Sequence, residues 1–151
     1  MPALVVRDVE RSDRPAWGRM WTANYIHHGA TMSDADIDEL WRRILDPDHP
    51  VRALVCAAAD DRDLLAFAHF VLHPHTFSSR TVCYLEDLWV EPAARGAGVG
   101  RRLIEALVER GRALGWRRLY WHTETDNEAA RHLYDRVAKL TDYVRYDVDL
   151  P

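Results

Sequence analysis

Apolar residues recur along this chain in two rhythms, one close to two residues and one close to three and a half. From Ala3 to Val9 a short apolar run ends in charge and reads as a first strand. Ser12 or Asp13 can cap a helix reaching about His27, with Trp17, Met20, Trp21 and Ile26 as its apolar members. Gly29 ends it. Ser33 followed by Asp36 resembles a capping box with Asp in place of Glu. It predicts a second helix with Ile37, Leu40, Trp41, Ile44 and Leu45 on one face, broken by Asp46-Pro47-Asp48-His49-Pro50.

The middle of the chain changes rhythm. Val51 to Ala59 and Leu64 to Leu72 are two apolar runs joined by Asp60-Asp61-Arg62-Asp63, a hairpin pattern. Pro74 to Arg80 reads as a loop, and Thr81 to Val90 as a third long strand. Residues 98–114 carry Leu103, Ile104, Leu107, Val108 and Leu114 at helical spacing, stopped by Gly115. Trp116 to His122 is the next strand. Asp126 or Asn127 caps a helix through about Ala138, with Ala130, Leu133, Tyr134 and Val137 inward. Tyr143 to Leu150 alternates polar and apolar residues and predicts a closing strand. The order is β-α-α-β-β-β-α-β-α-β: a mixed α/β (α+β) architecture with helices on both faces of a mixed sheet. It lacks the strict βα alternation of a doubly wound fold.

One loop carries chemistry. Arg95-Gly96-Ala97-Gly98-Val99-Gly100-Arg101 lies between a predicted strand and a predicted helix. The first N–H groups of a helix lack internal partners, and the helix dipole is positive there. Glycines let a ligand approach the backbone and tolerate positive φ. Arg101 and Arg102 are unfavourable for the bare dipole, and a bound polyanion reverses that cost. The loop therefore predicts a phosphate-bearing ligand. It is not a P-loop, because no Gly-Lys-Ser/Thr ends it. It is not the dinucleotide fingerprint, because Glu91 to Ala94 separate it from the strand.

Bulk properties narrow the class. A length of 151 residues suits one domain, residues 1–151, with a real core. With 48% hydrophobic and 29% charged residues the chain reads as soluble and globular. No apolar run approaches a membrane span, and no basic-then-apolar leader opens the chain, so membrane insertion and export are not expected. Cys56 and Cys83 sit in strand-like runs and read as buried, reduced thiols of a cytoplasmic protein. No CxxC or HExxH spacing exists, and His73 and His75 flank Pro74 in a loop, so no metal site is expected. A net charge of −4 argues against nucleic-acid binding and mildly favours a cationic substrate.

The element order, with the loop from Arg95 to Gly100 after Leu88-Trp89-Val90-Glu91-Pro92, resembles the GCN5-related N-acetyltransferase (GNAT) superfamily. Arg95, Gly98 and Gly100 match its Arg/Gln-x-x-Gly-x-Gly/Ala loop. Asn127-Glu128-Ala129-Ala130-Arg131-His132-Leu133-Tyr134 matches its Asn-x-x-Ala-x-x-Leu-Tyr helix. Tyr84-Leu85-Glu86-Asp87-Leu88-Trp89-Val90 looks like the polyamine acetyltransferase and yeast Hpa2-like branches, and Trp121-His122-Thr123 looks Hpa2-like too. The match covers about residues 81–148. The resemblance implies a mixed sheet of six to seven strands, and those branches pair as homodimers. The family's Gly-Phe after the tyrosine helix is here Lys139-Leu140-Thr141-Asp142-Tyr143, a departure at the sheet edge beside the acceptor pocket.

The resemblance also implies acetyl-CoA as donor. Its pyrophosphate would lie on the backbone of Gly96, Ala97, Gly98, Val99, Gly100 and Arg101, with Arg95, Asn127 and Ala130 in the binding set. Its pantetheine would pair with the strand edge at Leu88, Trp89 and Val90. A backbone N–H near Val90 would polarise the thioester carbonyl. Tyr134 matches the general acid that protonates the departing thiolate, and Glu86 is the candidate base, direct or through water. Asp87 is its strand neighbour, so only one of the two faces the cleft unless a bulge resets the alternation. Trp17, Trp21, Tyr25, Trp89, Trp121, His73 and His75 are available as aromatic walls, which suit a cationic amine. The expected acceptor is a small-molecule or lysine amine. Amino acid or antibiotic amines, and a non-catalytic CoA-binding module, are the alternatives.

Overall fold

The computed structural model describes residues 3–60 and 63–151. Five strands form one sheet in the order β1-β2-β3-β4-β5. They are β1 (Leu4–Asp8), β2 (Val51–Ala58), β3 (Leu64–His75), β4 (Ser78–Val90) and β5 (Arg118–Tyr120). The first four are antiparallel, β2 to β4 as a meander and β1 reaching β2 through two helices, and β5 joins β4 in parallel after a helical crossover. Among the described residues the α-helices are α1 (Arg14–His27), α2 (Asp34–Leu45), α3 (Val99–Leu114) and α4 (Glu128–Val137).

The strand side chains divide into two cores. Trp17 and Met20 of α1 and Ile37, Trp41 and Ile44 of α2 cover one face, over Ala53, Val55, Phe67 and Trp89. Leu103, Ile104 and Leu107 of α3 cover the other, over Leu54, Cys56, Ala68, Phe70, Cys83 and Leu85, with Leu133, Tyr134 and Val137 of α4 at its margin. This is the mixed α/β fold with helices on both faces that the pattern predicts.

Local chemistry explains the starts. Ser33 Oγ accepts from Asp36 N at 3.1 Å and caps α2. Asn127 Oδ1 accepts from Ala130 N at 3.3 Å and caps α4. Asp13 precedes α1, but its carboxylate is taken by Arg7 (2.7 and 2.9 Å) and by Glu10 N (2.7 Å). Gly98, at φ 80°, is the residue before α3, which begins at Val99.

Three expectations change. The predicted closing strand, Tyr143 to Leu150, is not in the sheet; it is exposed along its length. Alternation gives a strand two faces but no hydrogen-bond partner; the segment brings the Arg145 charge to Tyr84 and Glu86 of β4 without joining the ladder. The sheet therefore has five strands, not six to seven. The expected loop at Pro74 to Arg80 is mostly strand, because β3 and β4 run on into a tight turn around Thr76 and Phe77. The strand expected at Trp116 to His122 is regular only over Arg118–Tyr120. Two residues of the Asp60–Asp63 connection, 61 and 62, lie outside the described residues.

Candidate active site

β4 and β5 part company early. They pair only at Val82↔Arg118, Cys83↔Leu119 and Tyr84↔Tyr120. Beyond Tyr84 the β5-facing edge of β4 has no strand against it among the described residues, so Leu88, Trp89 and Val90 meet no strand on that side, and the Val90 carbonyl is taken by a side chain, Arg95. The side chains of Leu88 and Val90 pack into the α3 core. Trp89 faces the opposite core, next to His27 (6.0 Å between rings). Its indole N–H is buried with no hydrogen-bond partner among the described residues.

The glycine loop sits at the end of that open edge. Gly96 and Gly98 both have φ 80°, a backbone region that side chains rarely adopt, and a Cβ on either would meet nothing within 4 Å. The loop surface is therefore bare on the side an incoming phosphate would approach. Gly100 is different: its Cβ would sit 3.6 Å from Leu133 and from Val90, an ordinary packing contact, so this position lies between β4 and α4 rather than on the bare surface. Val99 is buried and anchors the helix start. Ala97 is exposed. Arg101 pairs with Glu105 at 2.9 Å. The Arg95 guanidinium folds back over the Trp89 ring (4.9 Å) while its Nε donates to Val90 O at 2.9 Å. An open strand edge that ends on uncapped helix N–H groups and positive-φ glycines fits a ligand carrying a strand-like arm and a diphosphate.

Tyr134 lies on α4 beside this edge, half-buried, with its ring edge-on to Trp121 (5.3 Å). Burial, and then the charge of Glu124, raises its phenol above the usual range. It therefore stays protonated at neutral pH, as a donor must. Its hydroxyl makes no hydrogen bond among the described residues. Asn127 and Ala130 are spent on each other in the helix cap.

Glu86 and Asp87 occupy an irregularity in β4. The register pairs His69 with Asp87 and Phe70 with Leu85, which leaves Glu86 as an extra residue. Leu85 and Leu88 both pack into the α3 core, so the two residues between them both face α1. This bulge resolves the alternation in favour of two carboxylates on one face. Glu86 is exposed, and partial desolvation, followed by the Asp87 charge, raises its carboxyl above the ordinary range. Asp87 Oδ2 lies 3.0 Å from His69 Nδ1.

Around these carboxylates stand several predicted acceptor residues. Trp21 packs edge-on to His69 (4.8 Å) and to Tyr25 (5.9 Å). His73 Nε2 is 2.9 Å from the Tyr120 hydroxyl. Trp121 lies on the other face with Tyr134. His75 contacts Phe77 at the far hairpin turn, away from the carboxylates. His27, His28, Glu124, Asp126 and Asn127 line a depression of about 370 Å³ between the end of α1 and the start of α4.

Sequence reasoning passed over His69, Tyr120 and the pairing of Tyr84 with His122 (3.0 Å). His69 had a signal: it is the one histidine inside the apolar run from Leu64 to Leu72. Among the described residues no group of three His, Cys, Asp or Glu side chains is arranged for a metal.

Comparison with known proteins converges on one family. Residues 13–138 match the acetyltransferase (GNAT) family. The D-amino-acid N-acetyltransferase HPA3 of Saccharomyces cerevisiae is 32% identical over 143 residues, which cover 95% of this chain and 89% of that protein. The fold matches a ribosomal-protein-alanine N-acetyltransferase from Brucella melitensis biovar Abortus, with TM-score 0.82 at 20% identity over 98% of this chain and 99% of that one. It also matches the aminoglycoside acetyltransferase AAC(6')-Iy solved with a CoA bisubstrate analogue, with TM-score 0.82 at 20% identity over 99% of each chain. The chain therefore belongs to the acetyltransferase (GNAT) family, whose acyl donor is acetyl-CoA.

Proposed function

We propose that this acetyltransferase transfers the acetyl group directly to a primary amine that carries a second positive charge, such as a polyamine or a lysine side chain. The observation that carries this reading is the β4 bulge, which turns Glu86 and Asp87 to one face beside the donor edge. Two carboxylates there attract a cation, and the rings of Trp21 and Tyr25 add a surface suited to one.

The chain's residues divide the work. The amides from Gly96 to Arg101 hold the diphosphate, and the free edge at Leu88 and Val90 pairs with the pantetheine arm as an added strand. Bound there, acetyl-CoA supplies an activated acyl group as its thioester. An N–H near Val90 steadies the negative charge that develops on the carbonyl oxygen. A protonated amine is no nucleophile, so Glu86 takes its proton, directly or through water. Its raised affinity for protons makes it a better base than an ordinary carboxylate. Tyr134 gives its phenolic proton to the departing sulfur, as its raised pKa allows.

A second reading has its own support. The name of the yeast relative, 32% identical, points to the α-amine of a free amino acid. A thiol-release assay with acetyl-CoA across polyamines, lysine peptides, D-amino acids and aminoglycosides separates the two. Turnover led by polyamines or lysine supports the cationic reading. Turnover confined to amino acids overturns it, and CoA binding without turnover marks a regulatory module.

We further propose a cytoplasmic homodimer of single-domain subunits. Cys56 and Cys83 are free and buried, with Cys83 pushed up to about 12 by burial, as suits a reducing compartment. Among the described residues no helix is long and apolar enough to cross a membrane. The pairing reading rests on β5, an uncovered edge, and on the exposed segment carrying Leu140, Tyr143, Val144, Tyr146, Val148 and Leu150.

A further inference from the structure

Three side chains link the core to the cleft. Trp17 Nε1 donates to His69 Nε2 at 2.9 Å, and His69 Nδ1 lies 3.0 Å from Asp87 Oδ2. An indole N–H only donates, so His69 Nε2 must accept. The proton of the neutral imidazole therefore sits on Nδ1 and is donated to the carboxylate.

This chain is expensive where it runs. Trp17 is 0% and His69 2% exposed. The rings of Phe67, Trp21 and Trp17 surround the imidazole at 4.5, 4.8 and 5.9 Å. An apolar side chain at position 69 would pack there without burying polar atoms. The outlet of the chain is Asp87, whose side chain is 24% exposed. One carboxylate oxygen is held from the interior, while Oδ1 makes no hydrogen bond among the described residues.

We infer that Trp17 and His69 are positioning residues that aim the free oxygen of Asp87 at the distal ammonium of the acceptor. This rests on the cationic-acceptor reading above. Trp17 fixes the tautomer and ring plane of His69, and His69 fixes the carboxylate. A neutral donor does this without setting a positive charge beside a cationic substrate. The bulge leaves Glu86 free for the reacting nitrogen, so the two carboxylates take different ends of one molecule. The yield is selectivity for acceptor charge rather than rate on every amine.

The test uses spermidine and propylamine as acceptors with His69→Leu, His69→Asn, Trp17→Phe and Asp87→Asn. An asparagine amide reaches the position of Nδ1 and can donate to Asp87, whereas leucine cannot. A charge-assisted hydrogen bond predicts a rise of about tenfold in spermidine KM for His69→Leu, with most of it recovered in His69→Asn. KM for propylamine and for acetyl-CoA should stay within about twofold, which a general loss of packing would not allow. Should His69→Leu fail to fold, Trp17→Phe carries the same comparison. If Asp87→Asn loses spermidine selectivity while His69→Leu and Trp17→Phe keep it, the positioning role is overturned and the cationic acceptor stands. If Asp87→Asn also keeps it, the cationic reading falls and this inference with it. Independently of turnover, two-bond proton–nitrogen NMR should show His69 as the Nδ1–H tautomer at neutral pH, and an Nε2–H pattern overturns the geometry.

Discussion

Leu85 and Leu88 stand three positions apart on one strand, yet both pack against the apolar face of α3. Regular alternation would send them to opposite faces. The extra residue between His69↔Asp87 and Phe70↔Leu85 absorbs the difference and turns Glu86 and Asp87 together toward α1. That one irregularity turns a structural strand into a wall with two adjacent carboxylates.

Crowding at this wall has a cost that can be read as stability. Desolvation and the Asp87 charge raise the Glu86 carboxyl above its ordinary 4.5. The folded state thus binds that proton more tightly than the unfolded state does, and stability contributed by Glu86 falls as pH rises through and above 4.5. Glu86→Gln should raise Tm at pH 7 and lose that advantage near pH 4, where the carboxyl is protonated in either state. Paired calorimetric scans check this. An unchanged or lower Tm for Glu86→Gln at pH 7 contradicts the crowding.

Gly98→Val should keep the sheet and lose CoA. The Cβ meets nothing within 4 Å, so the core is untouched, but φ 80° is unfavourable for a branched residue and costs about 1–3 kcal/mol. A modest fall in Tm is expected in the absence of ligand. The stabilisation that acetyl-CoA gives the native protein should largely vanish, because the side chain occupies the face proposed to receive the diphosphate. Isothermal calorimetry reads the result, and native CoA affinity in folded Gly98→Val would remove the loop from the binding site.

Tyr134→Phe should fold, bind acetyl-CoA and lose most turnover. The ring contact with Trp121 survives the change, and no hydrogen bond among the described residues is lost. General acid catalysis is worth about a hundredfold to ten-thousandfold, so single-turnover rates should fall within that range. A loss below about threefold, with chemistry rate-limiting, rejects the donor role.

The sequence reading succeeded where a local rule decides. Gly96 and Gly98 announce positive φ by their identity, Asn127 announces a cap, and the spacing of Leu103, Ile104 and Leu107 announces a buried helix face. It failed where the answer depends on a neighbour. Tyr143 to Leu150 has strand alternation, but a strand needs a partner edge and alternation cannot supply one. The bulge at Glu86 depends on β3 being one residue shorter over that register, which β4 alone does not encode. His69 is a single polar residue in an apolar strand, and its meaning appears only when Trp17, 52 positions earlier, meets its ring.

The same missing partner motivates a prediction on assembly. Tyr146 is 91% and Tyr143 88% exposed, and β5 has one unpaired side. Light scattering at high micromolar concentration should give the mass of two chains, and truncation after Lys139 should lower it. A monomer mass for the full chain contradicts the pairing.

The central claim is that Glu86 and Asp87 read the charge of the acceptor beside the CoA edge. The most direct measurement is the ratio of kcat/KM for spermidine over propylamine, taken on the native protein and on Asp87→Asn at the same pH and salt. The account predicts a native ratio of about tenfold or more, as one charge-assisted contact provides, and a clear fall in Asp87→Asn, whereas Glu86→Gln slows both amines together. A native ratio near one, unchanged in Asp87→Asn, would show that the paired carboxylates do not select the substrate.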